Sequence, residues 1–327
     1  MKILYAVQAT GNGHISRASE IIPHLQQHGQ VDVFMSGSNS NINPPFNIVH
    51  KKNGLSFYAG KSGGIDLLTT FRKVKLLRLV KDIAQCNLKQ YDLIINDFEP
   101  ITAWSCKLRK IPFINMSHQG AFLSNKSPRP PRMSIVSEYV LKYYAPAKNI
   151  VGFHFDSYDS FIHTPIIRTD IRNAKVSNQG HIAVYLPAYS EMKLVGLFSQ
   201  IKCVNWKIFS KNIPPSINCK NVEVHGINNL EWVNAVASAE GVLIGAGFEG
   251  PSEALYLGKK LMVMPMQKQY EQLCNAIALA QLGVRTSSGI TKKSATEVLD
   301  WIKNDNPVKV NYNDHTAQIV RSVVSQA

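Results

Sequence analysis

Short unbroken apolar runs, each closed by Gly, Asn, Asp or Pro, alternate along this chain with longer stretches in which apolar residues recur every third or fourth position. The first pattern suits strands buried on both faces of a parallel sheet, the second amphipathic helices. The runs predict strands at 2–9, 31–35, 47–51, from Tyr91 to a pair of carboxylates at Asp97 and Glu99, and at 112–116 and 149–153. A second series follows at 181–186, 206–210, 222–225, 241–244 and 261–265. Helical spacing falls between them: from the first turn to about residue 28, at 66–88, 101–109, 137–144 and 229–238, from Pro251, at 292–304 and from Asp314. Repeated strand–helix–strand units make parallel crossovers. Two such series predict an α/β chain of two doubly wound, Rossmann-like domains facing across a cleft.

A length of 327 residues leaves room for two cores. We expect an N-terminal domain over 1–163, a polar linker over 164–180 where the periodicity breaks, and a C-terminal domain over 181–309. No apolar run approaches the roughly 20 residues of a spanning helix. The opening stretch breaks into glycines without a signal-peptide cleavage pattern, so it reads as the first strand of a cytoplasmic protein. Cys86, Cys106, Cys203, Cys219 and Cys274 are odd in number and unclustered, the pattern of reduced thiols without a zinc site.

Charge changes this picture. The chain carries 36 Lys and Arg against 22 Asp and Glu, a formal charge of +14. Residues 61–148 hold 15 of those cations and only 6 of the acids. Such a field attracts polyanions, but no nucleic-acid-binding motif is present and aromatics are not interleaved with the basic residues. Two basic segments are candidates for an anionic membrane surface or a phosphate-bearing substrate. The helix at 66–88 sets Leu67, Phe71, Val74 and Leu77 beside Arg72, Lys75 and Arg78. The proline-broken stretch 122–134 carries Lys126, Arg129 and Arg132 and reads as a basic loop beside the cleft.

Candidate chemistry concentrates at 241–276. A buried strand runs into a small-residue turn (Gly245, Ala246, Gly247, Phe248, Glu249, Gly250), then a helix opening at Pro251. Glycines there let phosphates approach the backbone, and the helix's free N–H groups and positive dipole end hold negative charge. Glu253, expected in the first helical turn, suits the dipole and can accept hydrogen bonds from a ribose diol. Beyond the next strand, Gln267, Gln269, Glu271, Gln272 and Asn275 gather amide and carboxylate groups where sugar hydroxyls need paired donors and acceptors. In the first half, the turn Gly11-Asn12-Gly13-His14-Ile15-Ser16 lacks the last glycine of a dinucleotide fingerprint. The next strand ends without a ribose-binding carboxylate, which disfavours NAD. His14, Asp97, Glu99 and His118 all lie at strand ends that parallel crossovers would place on one edge. Each is a candidate base, since a base needs a pKa near the working pH and a place at the cleft. Helix capping competes with that role for His14 and Asp97, and a core position competes for His118.

The turn, early glutamate, strand ending in proline and Glu271-Gln272-Leu273-Cys274-Asn275-Ala276 resemble the donor half of GT-B glycosyltransferases that use nucleotide sugars. Among these the segment is especially similar to the peptidoglycan lipid-intermediate N-acetylglucosaminyltransferases and their relatives. Asp97-Phe98-Glu99-Pro100, followed by a strand ending in His118-Gln119, also resembles a poorly characterised branch of predicted GT-B transferases. The resemblance implies that Glu253 binds ribose, Gly245–Gly250 face the diphosphate, and Glu271 and Gln272 touch the donor sugar. It further implies that Gly11, Asn12 and Gly13 line phosphates or acceptor, that Tyr189 or Ser190 touches the nucleotide, and that the base sits near 225–227. His14 becomes the leading base, and 310–327 a segment crossing back to the N-terminal domain. The implied reaction is inverting and metal-independent, the chain having no Asp-x-Asp. It moves a sugar from a UDP-type donor to a glycan or lipid-linked acceptor in cell-envelope or polysaccharide synthesis, at the inner face of the membrane. A nucleotide-sugar epimerase of the same fold and a basic nucleic-acid-binding protein are the alternatives.

Overall fold

The computed structural model describes residues 1–9, 12–37, 46–54, 76–211, 213, 219–291 and 293–327. The expectations for Gly11 and for residues 66–75 of the basic helix lie outside the described residues. The first sheet is built from β1 (Lys2–Gln8), β2 (Gln30–Ser36), β3 (Ile48–Lys52), β4 (Leu93–Asp97), β5 (Ile114–Ser117), β6 (Asn149–Phe153) and β7 (Ile162–His163). Its order is β3-β2-β1-β4-β5-β6-β7, with every pairing parallel. Helices α1 (Gly13–Gln26), α2 (Leu76–Gln85), α3 (Pro100–Arg109) and α4 (Ile135–Tyr143) connect it. Ile3 through Val7 of β1 are buried on both faces, which explains their unbroken apolar run.

A short α5 (Thr169–Arg172) interrupts the linker before the second sheet. That sheet comprises β8 (His181–Tyr185), β9 (Asn205–Ser210), β10 (Val222–Gly226), β11 (Gly241–Ile244), β12 (Lys260–Val263) and β13 (Arg285–Thr286), in the all-parallel order β10-β9-β8-β11-β12-β13. Its helices are α6 (Glu191–Phe198), α7 (Asn229–Ser238), α8 (Glu249–Tyr256), α9 (Tyr270–Gln281) and α10 (Ser294–Asn304). Gly241 opens β11 because a side chain there would press on the Trp301 ring, 3.0 Å from where its Cβ would lie. The last helix, α11 (Thr316–Val324), packs on α1 and buries Ile319, Val320 and Val323. Ahead of it the Tyr312 hydroxyl donates to the Phe155 carbonyl at 3.0 Å. No helix among the described residues is long and apolar enough to cross a membrane.

Three local expectations change. Helix α8 starts at Glu249, two residues before Pro251. Proline is tolerated anywhere in a first turn, where N–H groups have no intrahelical acceptor. Residues 270–281, read in the sequence only as a cluster of amide and carboxylate groups, form the regular helix α9. Residues 119–123 tighten into a 3-10 turn at the start of the stretch expected to be irregular.

Parallel strands point their carboxyl ends one way, and these edges of the two sheets meet. Phe248 stacks on His118 across the gap, 4.0 Å between ring centres and 4° from parallel. His154 meets the same imidazole edge-on at 5.1 Å. The His118 ring is wedged between the Phe153 carbonyl, 2.8 Å from Nδ1, and the Asn275 side-chain amide, 3.0 Å from Nε2. Burial pushes its pKa down to about 3 and that of His154 well below the usual range. A buried imidazole with both nitrogens engaged is a packing element, which corrects the reading of His118 as a base.

An unfolded histidine takes up a proton near pH 6.5, whereas the folded His118 stays neutral until about pH 3. Between these values the unfolded state binds more protons, so stability rises with pH and falls on acidification, by at most ~1.4 kcal/mol per pH unit from this group. Urea midpoints should therefore decrease stepwise from pH 7 to pH 5, and His118→Gln should flatten the slope. An identical slope in the variant would assign the acid sensitivity to other groups.

Candidate active site

The polar centre of the gap is built on Asp97, the last residue of β4 and wholly buried. His14 and Arg17 lie three apart on α1, so both reach the same side of that helix. The Arg17 guanidinium grips Asp97 through Nε to Oδ2 at 3.1 Å and Nη2 to Oδ1 at 2.7 Å. His14 Nδ1 lies 2.8 Å from the same Oδ1. Arg17 Nη2 is also 3.1 Å from that nitrogen, but a 2.8 Å contact with a carboxylate oxygen needs a proton between them, which puts one on Nδ1 and, in the neutral ring, leaves the lone pair on Nε2. Among the described residues Nε2 has no hydrogen-bond partner. Burial alone would raise the Asp97 pKa, but Arg17 and then His14 outweigh it and hold the carboxyl below its ordinary value. Burial likewise works against the Arg17 charge, and Asp97 and Glu249 more than restore it.

The Asp-Phe-Glu turn separates its two acids. Phe98 adopts left-handed φ at 53°, a strained conformation for an aromatic residue costing on the order of 1–2 kcal/mol. It is pinned by stacking on Tyr144, 4.8 Å away. The reversal turns Asp97 to the gap and Glu99 into the body of the first sheet. Glu99, not Asp97, caps α3, accepting from Ile101 N at 2.8 Å and Thr102 N at 2.6 Å. The Ser36 hydroxyl donates at 2.6 Å to Oε1, the oxygen that also takes Ile101 N. Burial raises its pKa against those hydrogen bonds. Fully enclosed and committed to a helix end, Glu99 is not a base, which corrects that candidate.

Across the gap, α8 begins without a side-chain cap, so its first backbone donors are open to an anion. The carboxylate that reaches this mouth is Glu249, in the first turn where Glu253 had been expected. Glu249 accepts from Arg17 Nη1 and fills the space where a side chain on Gly13 would stand. Nothing lies within 4 Å of a Cβ built on Gly247, so that part of the turn is open. Gly250 instead backs onto Ile244, only 2.5 Å from where its Cβ would be. It serves helix-on-strand packing and does not face phosphate, a correction to its expected role.

Glu253 sits one turn further in, nearly enclosed. Its oxygens accept from Arg168 Nε at 2.5 Å and Nη2 at 2.9 Å. Burial raises its pKa and Arg168 works in the opposite direction. Two lone-pair sites per carboxylate oxygen leave room for further donors. Glu271 accepts from Gln119 Nε2 at 3.1 Å and lies 3.8 Å from His118 Nε2. Asn275 spans the gap, touching His118 and donating to the Ala246 carbonyl at 3.2 Å. Gln272 accepts from Met266 N at 2.9 Å and bonds Gln269.

The structure thus brings Gly13, His14, Asp97, Glu249, Glu271 and Asn275 together, with Glu253 one turn behind. It does not bring Tyr189 or Gln267: the Tyr189 hydroxyl accepts from Ile290 N at 3.2 Å, and Gln267 donates to the Ser288 carbonyl at 2.8 Å. Both serve the loop after β13. Sequence reasoning missed Arg17, whose spacing from His14 was the available signal. It missed Arg168 and Gln119 too, which no local pattern marks.

The family model described as glycosyl transferase family 1 matches residues 1–304. No curated protein sequence matches the chain. Three solved structures align along its length. SnogD from Streptomyces nogalater is 14% identical over 100% of this chain and 99% of that one, with a TM-score of 0.55. MurG from Acinetobacter baumannii is 13% identical over 100% and 99%, with a TM-score of 0.53. Arabidopsis thaliana UGT89C1, complexed with UDP, is 13% identical over 99% and 94%, with a TM-score of 0.61. At such identities the likeness is one of fold, and it is the family model, spanning both sheets and the gap between them, that carries the assignment: the chain belongs to glycosyl transferase family 1 and is a glycosyltransferase of GT-B architecture.

Proposed function

We propose that the chain transfers a sugar, with inversion and without a metal ion, from a nucleoside diphosphate sugar to a hydroxyl of a glycan or lipid-linked acceptor in cell-envelope or polysaccharide synthesis. The observation that carries this reading is the Asp97–His14 pair with Nε2 unpartnered, set opposite the uncapped start of α8. Uridine as the base is supported by the UDP found in UGT89C1. In this reading His14 Nε2 takes the acceptor's proton as its oxygen bonds to the anomeric carbon. The carbon–oxygen bond to the diphosphate breaks on the opposite face. The imidazolium so formed is balanced by Asp97.

Charge at the mouth adds a condition. Among the described residues, Asp97, Glu249 and Glu253 are ion-paired with two arginines, Arg17 and Arg168, and Asp97 and Glu271 are approached by His14 and His118, so in this reading an arriving diphosphate competes with carboxylates for those cations. It would replace the Glu249 carboxylate at the first turn of α8, and Arg17, still held by Asp97, would become its cation. Glu253, oriented by Arg168, would receive the ribose. The helix start then supplies neutral donors, the groups best able to hold an anion without a metal.

Purified protein given UDP-sugars and candidate acceptors should release UDP only when both are present; release without acceptor-dependent product would favour epimerase or hydrolase chemistry. His14→Ala should lower kcat by about 10²- to 10⁴-fold while UDP affinity by calorimetry stays within about twofold; a parallel loss of affinity would reassign His14 to donor binding. Glu253→Ala should weaken UDP binding by about ten- to a hundredfold, the loss of a charged hydrogen bond, and unchanged affinity would remove Glu253 from the ribose site. Glu249→Gln should strengthen UDP binding by about fivefold or more, because one unit of like charge leaves the mouth. Weaker binding there would show Glu249 to be a ligand of the donor and not its competitor.

A further inference from the structure

Helix α9 turns two neighbouring stripes toward the first half. Residues four apart share a helix face, so Tyr270 lies over Cys274 and Glu271 over Asn275. The first stripe is apolar: Tyr270 and Cys274 close with Phe122 and Leu141 into a small buried cluster between the halves. The second is polar and carries the contacts of Glu271 with Gln119 and of Asn275 with His118. One helical turn carries the start of both stripes, so they move together.

What holds that turn comes from outside the helix. Among the described residues no side chain caps the start of α9, so its first turn has no local anchor. Instead the Tyr270 hydroxyl donates across the gap to Glu138 Oε1 at 2.6 Å, a charge-assisted bond. Burial, and then Glu138, push the Tyr270 pKa up, which keeps the phenol a donor at neutral pH. Glu138 is itself held. Arg129 Nε donates to the same oxygen at 2.6 Å, and its Nη2 and Nη1 donate to the Phe122 and Ser127 carbonyls at 2.6 and 3.0 Å. The guanidinium also lies over the Phe122 ring, 5.0 Å from its centre. Glu138 and Leu141, three apart on α4, face α9 together. Arg129, expected on a basic loop, is thereby committed to this contact, and Lys126 of the same stretch pairs with Asp159 at 3.1 Å.

We propose that Glu138 and Tyr270 are positioning residues for Glu271, setting from the first half the carboxylate that receives hydroxyls of the transferred sugar. The role of Glu271 rests on the transfer reading above, whereas the hold on α9 is measured without donor or acceptor. Tyr270 precedes Glu271 by one residue, so a first turn released from Glu138 takes the Glu271 carboxylate away from Gln119 and from the gap. In the transfer reading the diphosphate lies at the start of α8 and the ribose at Glu253, neither of which touches this pair. A loss confined to the sugar therefore separates positioning from a general loosening of the fold.

The test is calorimetry of the full chain with UDP and with UDP-glucose, UDP-galactose and UDP-N-acetylglucosamine, beside hydrogen exchange of the empty protein. Tyr270→Phe, which removes a single oxygen, and Glu138→Ala should each weaken the tightest-bound UDP-sugar by about fivefold or more and leave UDP within about twofold. Glu271→Ala should lose at least as much. Adding Tyr270→Phe to it should bring no further loss, because the phenol acts only through that carboxylate. In Tyr270→Phe and in Glu138→Ala, amide exchange should quicken over 270–275 and stay unchanged over 249–256. Unchanged exchange overturns the hold on α9. Sugar binding that falls in Glu271→Ala but in neither of the other two overturns positioning alone, as does an equal loss of UDP affinity or a full further loss in the doubly altered chain. No effect of Glu271→Ala, or no UDP-sugar bound by the unaltered chain, overturns the sugar role of Glu271 and positioning with it.

Discussion

The arrangement depends on how one buried charge is satisfied. Asp97 ends β4 with no exposure to water, and an isolated carboxylate there would be prohibitively costly. Arg17 supplies the countercharge, but a guanidinium brings five N–H donors and no acceptor. Asp97 engages Nε and Nη2, leaving Nη1 in want of a partner, and Glu249, from α8 of the other half, is the acid that supplies it. Hydrogen-bond accounting at the end of a single strand therefore draws the two sheets together. It also fixes the His14 tautomer.

Topology makes that accounting local. Every pairing in both sheets is parallel, so the strand ends carrying Asp97, His118 and Gly245 all open on the same gap. What each end presents is then decided by one or two backbone angles. Left-handed Phe98 is the clearest case: without it Asp97 and Glu99, two residues apart, would lie on the same side of an extended strand. With it, one acid meets the gap and the other closes a helix.

The sequence made the alternation of elements legible because strands buried on both faces leave unbroken apolar runs, as at Ile3–Val7 and Gly241–Ile244. It made His14 and the turn at 245–250 legible because glycines and strand ends have local signatures. It pointed to Asp97 as the α3 cap where Glu99 serves, since telling the two apart requires the φ of Phe98, which the Tyr144 ring, 46 residues on in sequence, helps to set. Glu249 was placed in the turn but not opposite Arg17, because contacts between halves have no period along the chain. Gly250 illustrates the same limit: a glycine demanded by Ile244 beneath it looks, in sequence, like one demanded by a phosphate.

The halves are joined in two physically different ways. Across the gap the polar pairs Arg17 with Glu249, Gln119 with Glu271 and Tyr270 with Glu138 stand beside the stacking of Phe248 on His118. Polar pairs exchange with water or ligand at small net cost. Behind the gap, α11 lays Ile319, Val320 and Val323 on α1, and Arg172 of the linker donates to the Tyr312 carbonyl at 3.1 Å. Separating that apolar contact exposes surface to water with nothing gained in return. Arg168 stands between the two regimes, four residues from Arg172 and bonded to Glu253. A nucleotide settling on Glu253 would thus bear directly on the segment that joins the two sheets.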